Sequence, residues 1–126
     1  MLQLFGPLNT GIATGGDGSA ASNANSGAIG GVVLAVAIRP NFSYLSTEMD
    51  VVIKTGGIGA PELTILSVSG LTAEGWYHPR MLIQDGMGAD IAANYGQGIP
   101  VYDILNVAIE AANDDDSADV WLLLDC

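Results

Sequence analysis

Apolar and polar side chains alternate with a period of two in several short runs of this chain, the spacing that puts successive residues on opposite faces of a strand. Val51 and Ile53 share one face, with Asp50 and Lys54 on the other. Leu105, Val107 and Ile109 line one face with Asn106 opposite, and Val120, Leu122 and Leu124 stand against Asp119, Trp121 and Asp125. Runs rich in Val, Ile, Leu and Thr predict strands over Val32 to Arg39, Met49 to Lys54, Leu63 to Val68, Trp76 to Ile83, Ala89 to Tyr95, Asp103 to Ala111 and Asp119 to Asp125. Turn chemistry separates them at Thr55 to Pro61, Ser69-Gly70, Asp85 to Gly88, Gly96 to Gly98 and Asn113 to Ser117. A helix over Val101 to Asn113 would put Ile104, Val107, Ala108 and Ala111 on one side, but the Val and Ile content and the facing final strand favour a hairpin there. The predicted fold class is all-β, an antiparallel β-sandwich or jelly-roll-like domain of about seven strands.

The stretch from Asn9 to Gly31, NTGIATGGDGSAASNANSGAIGG, breaks this pattern, since its Gly, Ser, Ala, Asn and Thr carry neither strand nor helix periodicity. The organisation expected is therefore an N-terminal strand and an extended Gly/Ser/Asn-rich arm over 1–31, followed by the sandwich over 32–126. Ordering such an arm costs roughly 1–2 kcal/mol per residue, which small side chains cannot recover by packing on themselves. The reading favoured is an arm laid along neighbouring subunits; folding back on its own domain is the alternative.

At 126 residues the chain fits one domain and can bury a core without a disulfide or metal. Charged residues make up only 13%, about half the usual share, so the surface has few means of staying monomeric. Fourteen acidic residues against three basic ones give a net charge of −11, which opposes a phosphate backbone and an anionic leaflet alike. Neither nucleic acid nor membrane is expected as a partner, and the longest apolar run, Ala28 to Ile38, is too short to span a bilayer. The residues after Met1 lack a basic region and a long apolar run, so synthesis in the cytosol is expected without a secretory signal. Cys126 is the single cysteine and has no partner for a disulfide or a metal set.

Little here points to catalysis. His78, the only histidine, precedes Pro79 and has no G-x-S-x-G element to serve. Asp114, Asp115 and Asp116 lack EF-hand spacing and read as a solvated hairpin turn; Asp85 to Asp90 reads likewise. Glu48, Glu62, Glu74 and Glu110 are not brought together by any motif, and Gly56-Gly57-Ile58-Gly59 leads to Pro61 and a strand, not to a helix that would hold a phosphate. No cofactor and no enzymatic activity are expected. The most distinctive feature is Trp76-Tyr77-His78-Pro79-Arg80, which reads as either core and strand-end residues or an interface anchor, because Trp, Tyr and Arg are enriched at binding hot spots.

The run Gly75 to Arg80, with Ile99 to Asp103, Asn106-Val107, Ala112-Asn113 and the closing Asp119-Val-Trp-Leu-Leu-Leu124, resembles small virion proteins of tailed bacteriophages that decorate or cement the head. The resemblance covers about residues 32–126. It implies a sandwich on the outer face of a capsid that clamps neighbouring subunits of the major capsid protein. The low surface charge and the edge strands separately favour a homo-oligomer (trimer or dimer). A neck, tail or fibre component is the nearest alternative, and a carbohydrate- or calcium-binding module the alternative of another class. Candidate partner-binding residues are Trp76, Tyr77, His78 and Arg80, with Asn9, Thr10, Ile12, Asn23 and Asn25 from the arm.

Overall fold

The computed structural model describes residues 1–43, 48–55, 62–82 and 96–126. The strands, in chain order, are β1 (Leu2–Asn9), β2 (Ala20–Asn41), β3 (Met49–Thr55), β4 (Thr64–Leu71), β5 (Gly75–Tyr77), β6 (Met81–Leu82), β7 (Gly96–Gln97), β8 (Ile99–Ala112) and β9 (Ser117–Asp125). The fold is all-β and every pairing is antiparallel, as the alternation predicts. The expected strand over Ala89 to Tyr95, Ile83, the loop Asp85 to Asp90 and most of the turn from Thr55 to Pro61 lie outside the described residues. Where a helix over Val101 to Asn113 is the alternative, the chain is strand through Ala112.

Seven strands form one sheet in the order β1-β9-β2-β8-β3-β4, with β5 also on β2; β6 and β7 make a separate pair. The sheet works as two wings because the 22-residue β2 changes neighbours along its length. Its first part, Ala20 to Val33, pairs with β8, which carries β3 and then β4. From Val32 to Asn41 it pairs with β9 on one edge, and at Val36 to Ile38 with β5 on the other. The wings are thus β2-β8-β3-β4 and β1-β9-β2-β5. Rows such as Val51-Ile109 and Ile53-Val107 in the first wing, and Val36-Leu122 and Ile38-Val120 in the second, are buried in a single core cluster. Inward faces of both wings meeting in one core make a sandwich-like domain.

Two expectations are corrected. Asn113 to Ser117 does not close a hairpin: β9 has β1 on one edge and β2 on the other, and β8 has β2 and β3, so neither has an edge free for its sequence neighbour. The turn is an arch that carries the chain from one wing to the other.

Nor are residues 1–31 a strand followed by an extended arm distinct from a sandwich beginning at 32. β1 is the edge of the second wing, and residues 20–31 are the first half of β2, hydrogen-bonded to β8 in the same chain. The physical reason is side-chain size. Ala20 and Ser26 face inward where Asn23 and Asn25 face out, so the strand is amphipathic by volume and not by hydropathy. Where β2 bulges between Asn25 and Ala28, the Ser26 hydroxyl accepts the Leu105 amide at 2.9 Å and replaces the missing ladder bond.

Arch and turn are fastened together. Asp116, fully buried, accepts the amides of Asn113 at 3.0 Å and Ser43 at 2.7 Å, and Asn113 Oδ1 accepts the Gly18 amide at 2.8 Å. Asp114 and Asp115 are exposed, so only part of the acidic run is a solvated turn.

Candidate partner-binding face

The outward side of the second wing carries both tryptophans of the chain. Ala37 pairs with Trp121 of β9 on one edge and with Trp76 of β5 on the other, so Trp121, Ala37 and Trp76 form one cross-strand row with all three side chains on the same face. Alternation sets this orientation: Val36, Ile38, Val120 and Leu122 face the core, leaving Ala37 and Trp121 outward.

Trp76 is 55% exposed and Leu4, on the neighbouring edge strand β1, is 55% exposed. Arg39, two residues along β2 on the same face, places its guanidinium 5.3 Å from the centre of the Trp121 ring, within cation-π range. Its Nε donates to Glu74 Oε2 at 2.9 Å, which fixes the guanidinium at one end of the row. Leu4, Ala37, Gly75, Trp76 and Trp121, with the Arg39-Glu74 pair, enclose a shallow groove of about 390 Å³.

Close packing beside this row requires a glycine. Gly6 of β1 has φ +130°, and a Cβ there would lie 2.7 Å from the Val120 carbonyl oxygen and 3.1 Å from Trp121 Cδ1. Only a residue without a side chain lets β1 pass this close to the indole.

The sequence candidates are not all brought together. Trp76 belongs to the aromatic row, Tyr77 beside it is half-buried against the core, and His78 is exposed. Arg80 is exposed but turned to the backbone, its Nη1 donating to the carbonyls of Leu34 and Pro79 at 2.8 Å each. Asn9 is exposed and bonds Asp119, while Ile12 is 62% exposed. Thr10 is corrected outright as a contact residue: it is 1% exposed, and its hydroxyl accepts the Ala118 amide.

Asn23 and Asn25 lie on the outward face of the other wing. Both accept from Asn106 Nδ2, at 3.1 and 2.9 Å, in a polar depression with Lys54, Glu62 and Glu110. Leu4, Ala37, Arg39, Glu74 and Trp121 are not among the contact residues that the sequence singles out. The signal that could have found Trp121 was its place on the polar side of β9 with Asp119 and Asp125.

Among the described residues no group of His, Cys, Asp or Glu is arranged to hold a metal ion, and no helix is long and apolar enough to cross a membrane.

No family model matches the chain, and no curated protein does. Among solved structures it is similar to the crystal structure of FLHE, at 12% identity over 99% of this chain and 95% of that one, with a TM-score of 0.38. That likeness is too distant to carry a function.

Proposed function

We propose that this chain is a structural protein of a tailed-bacteriophage virion, which binds the outer face of the head and clamps neighbouring major capsid subunits as a decoration or cement protein. The observation that carries a docking role is the row Trp121-Ala37-Trp76, an aromatic surface on the outward face of one wing. Exposed aromatics of this kind mark interaction surfaces more than isolated apolar residues do. Placement on a phage head rests on the sequence resemblance, whose quoted residues fall mainly on β5, β8 and β9. The net charge of −11 favours a partner surface carrying Lys or Arg. The segment 9–31 lends this reading no support, because its order is met within the chain.

A homo-oligomer, trimer or dimer, is part of the proposal, since the edges of β1 and β4 have no further strand beyond them among the described residues. The proposed role is non-enzymatic, with no cofactor, and the location is the virion. The test is co-sedimentation of the purified chain with phage heads, expected to succeed for the wild type and to fail for Trp76→Ala. Retention on tails, necks or fibres instead of heads would favour the neighbouring structural role.

One observation favours a second reading, a carbohydrate-binding module. The Asn23, Asn25 and Asn106 amides, with the Lys54-Glu62 pair at 3.3 Å, offer donors and acceptors on the other wing. Signals on a glycan array that vanish in Asn106→Ala would establish it.

A further inference from the structure

We infer that the groove between Trp76 and Trp121 takes a proline-rich, extended segment of a partner protein, carrying a basic residue beside the prolines. This deepens the docking role proposed above and rests on it for the existence of a partner. Three features of the groove select this occupant.

The first is shape. Neighbouring strands are about 4.8 Å apart, so two tryptophans with one alanine between them stand about 10 Å apart at the backbone, as walls over a low floor. The small side chain of Ala37 keeps the floor low, and the Arg39-Glu74 pair closes one end. Such a slot admits a narrow ridge of ring or aliphatic carbons and excludes a helix, whose diameter with side chains is about 10–12 Å.

The second is hydrogen bonding. The groove lies on the face of the sheet, where the amides and carbonyls that run between β9, β2 and β5 are committed to one another, and the edge of β5 left unpaired among the described residues lies beyond Trp76, outside the groove. A ligand in β conformation would find no ladder to join. A polyproline II segment needs none, because its backbone is solvated and its prolines lack amides. The indole N–H groups of Trp76 and Trp121 are the donors available to its carbonyls.

The third is charge. Arg39 is paired with Glu74, and Asp119 lies opposite Arg39 in the β2-β9 register. The groove lining itself balances one cation and one anion; Asp119, whose carboxylate accepts from Asn9 and Asn41, adds a negative charge just beyond the Arg39 end, within a chain of net charge −11. A basic residue flanking the prolines is complementary to the negative charge beside this end of the groove.

The test is titration of the isotope-labelled full chain, followed by the two indole N–H resonances, with an oligoproline of about ten residues, the same peptide ending in arginine, and a Gly-Ser peptide of equal length. Both indoles are expected to shift saturably with the proline peptides, about threefold more tightly when arginine is present, and not with Gly-Ser. Ala37→Leu, which raises the floor, and Trp76→Ala, which removes an exposed wall, are each expected to abolish the shifts. Unmoved indoles, equal response to the Gly-Ser peptide, or wild-type binding by Trp76→Ala would overturn the inference. Co-sedimentation with heads separates it from the parent reading. Heads that retain the chain while oligoproline neither binds nor competes sink the groove assignment alone, whereas oligoproline binding without retention on heads sinks the virion role alone.

Discussion

Asp116 Oδ1 accepts the backbone amide of Ser43 at 2.7 Å, joining residues 73 apart in sequence at the end of the domain where the chain crosses between wings. The other carboxylate oxygen takes the Asn113 amide at 3.0 Å, so one fully buried side chain fastens the arch to the region just beyond β2. Replacing it with alanine leaves two amides without these acceptors. Asp116→Ala is expected to destabilise the domain by about 2–4 kcal/mol in urea denaturation, and Asp116→Asn, which keeps one acceptor oxygen, by about half as much. A loss below about 0.5 kcal/mol for the alanine variant would mean the arch is held by other contacts.

Thr10 separates structural from partner roles. Its buried hydroxyl accepts the Ala118 amide at 3.1 Å and donates to the Gly11 carbonyl at 3.0 Å. Thr10→Val, close in shape, is expected to cost about 1–3 kcal/mol of stability and to leave partner binding by the folded protein unchanged. Weaker binding with unchanged stability would return Thr10 to the contact residues.

Gly31 sits where β2 leaves β8 and joins β9. Its φ is +136°, and an added Cβ would lie 2.9 Å from the Asp125 carbonyl oxygen, a backbone atom that cannot swing aside. Gly31→Ala is expected to lower stability by about 1–3 kcal/mol and Gly27→Ala, in open space on the same strand, by far less. Similar losses at both positions would show that the crossing does not depend on that glycine's conformation.

Arg39 has less to do with stability than its contacts imply. The pair with Glu74 is exposed, 57% and 66% at the two side chains, and such pairs contribute about 0–1 kcal/mol. A cation-π contact at an exposed site adds about 0.5–1 kcal/mol. Arg39→Ala is therefore expected to cost no more than about 1–2 kcal/mol in thermal or urea unfolding, with a visible change in Trp121 fluorescence. A larger loss would place Arg39 in a supporting role for the whole wing.

The strands with large inward side chains were legible in the sequence: β3 runs Met49–Thr55 and β9 runs Ser117–Asp125, each within two residues of the alternation's bounds. The first half of β2 was not, because its inward positions are Ala and Ser, which hydropathy does not separate from the Asn residues facing out. Pairing was illegible for another reason. Alternation says which face a residue takes but not which edge a strand offers, so β8 and β9, adjacent in sequence and alike in pattern, read as a hairpin although their edges are filled by β1, β2 and β3. The candidate site was legible by halves: Trp76 stood out by composition, whereas its partner across Ala37, Trp121, is 45 positions further along the chain and meets it only through the β5-β2-β9 register.

The central claim, that this domain docks on a phage head through its aromatic face, is tested most directly by a cryo-EM map of the native assembly that contains the chain. The predicted result is density for the domain on the outer surface of the head, across joints between major capsid subunits, with Trp76 and Trp121 turned toward the shell. Density only at the neck, tail or fibres, or a domain on the head whose Trp76 face looks into solvent, would contradict it.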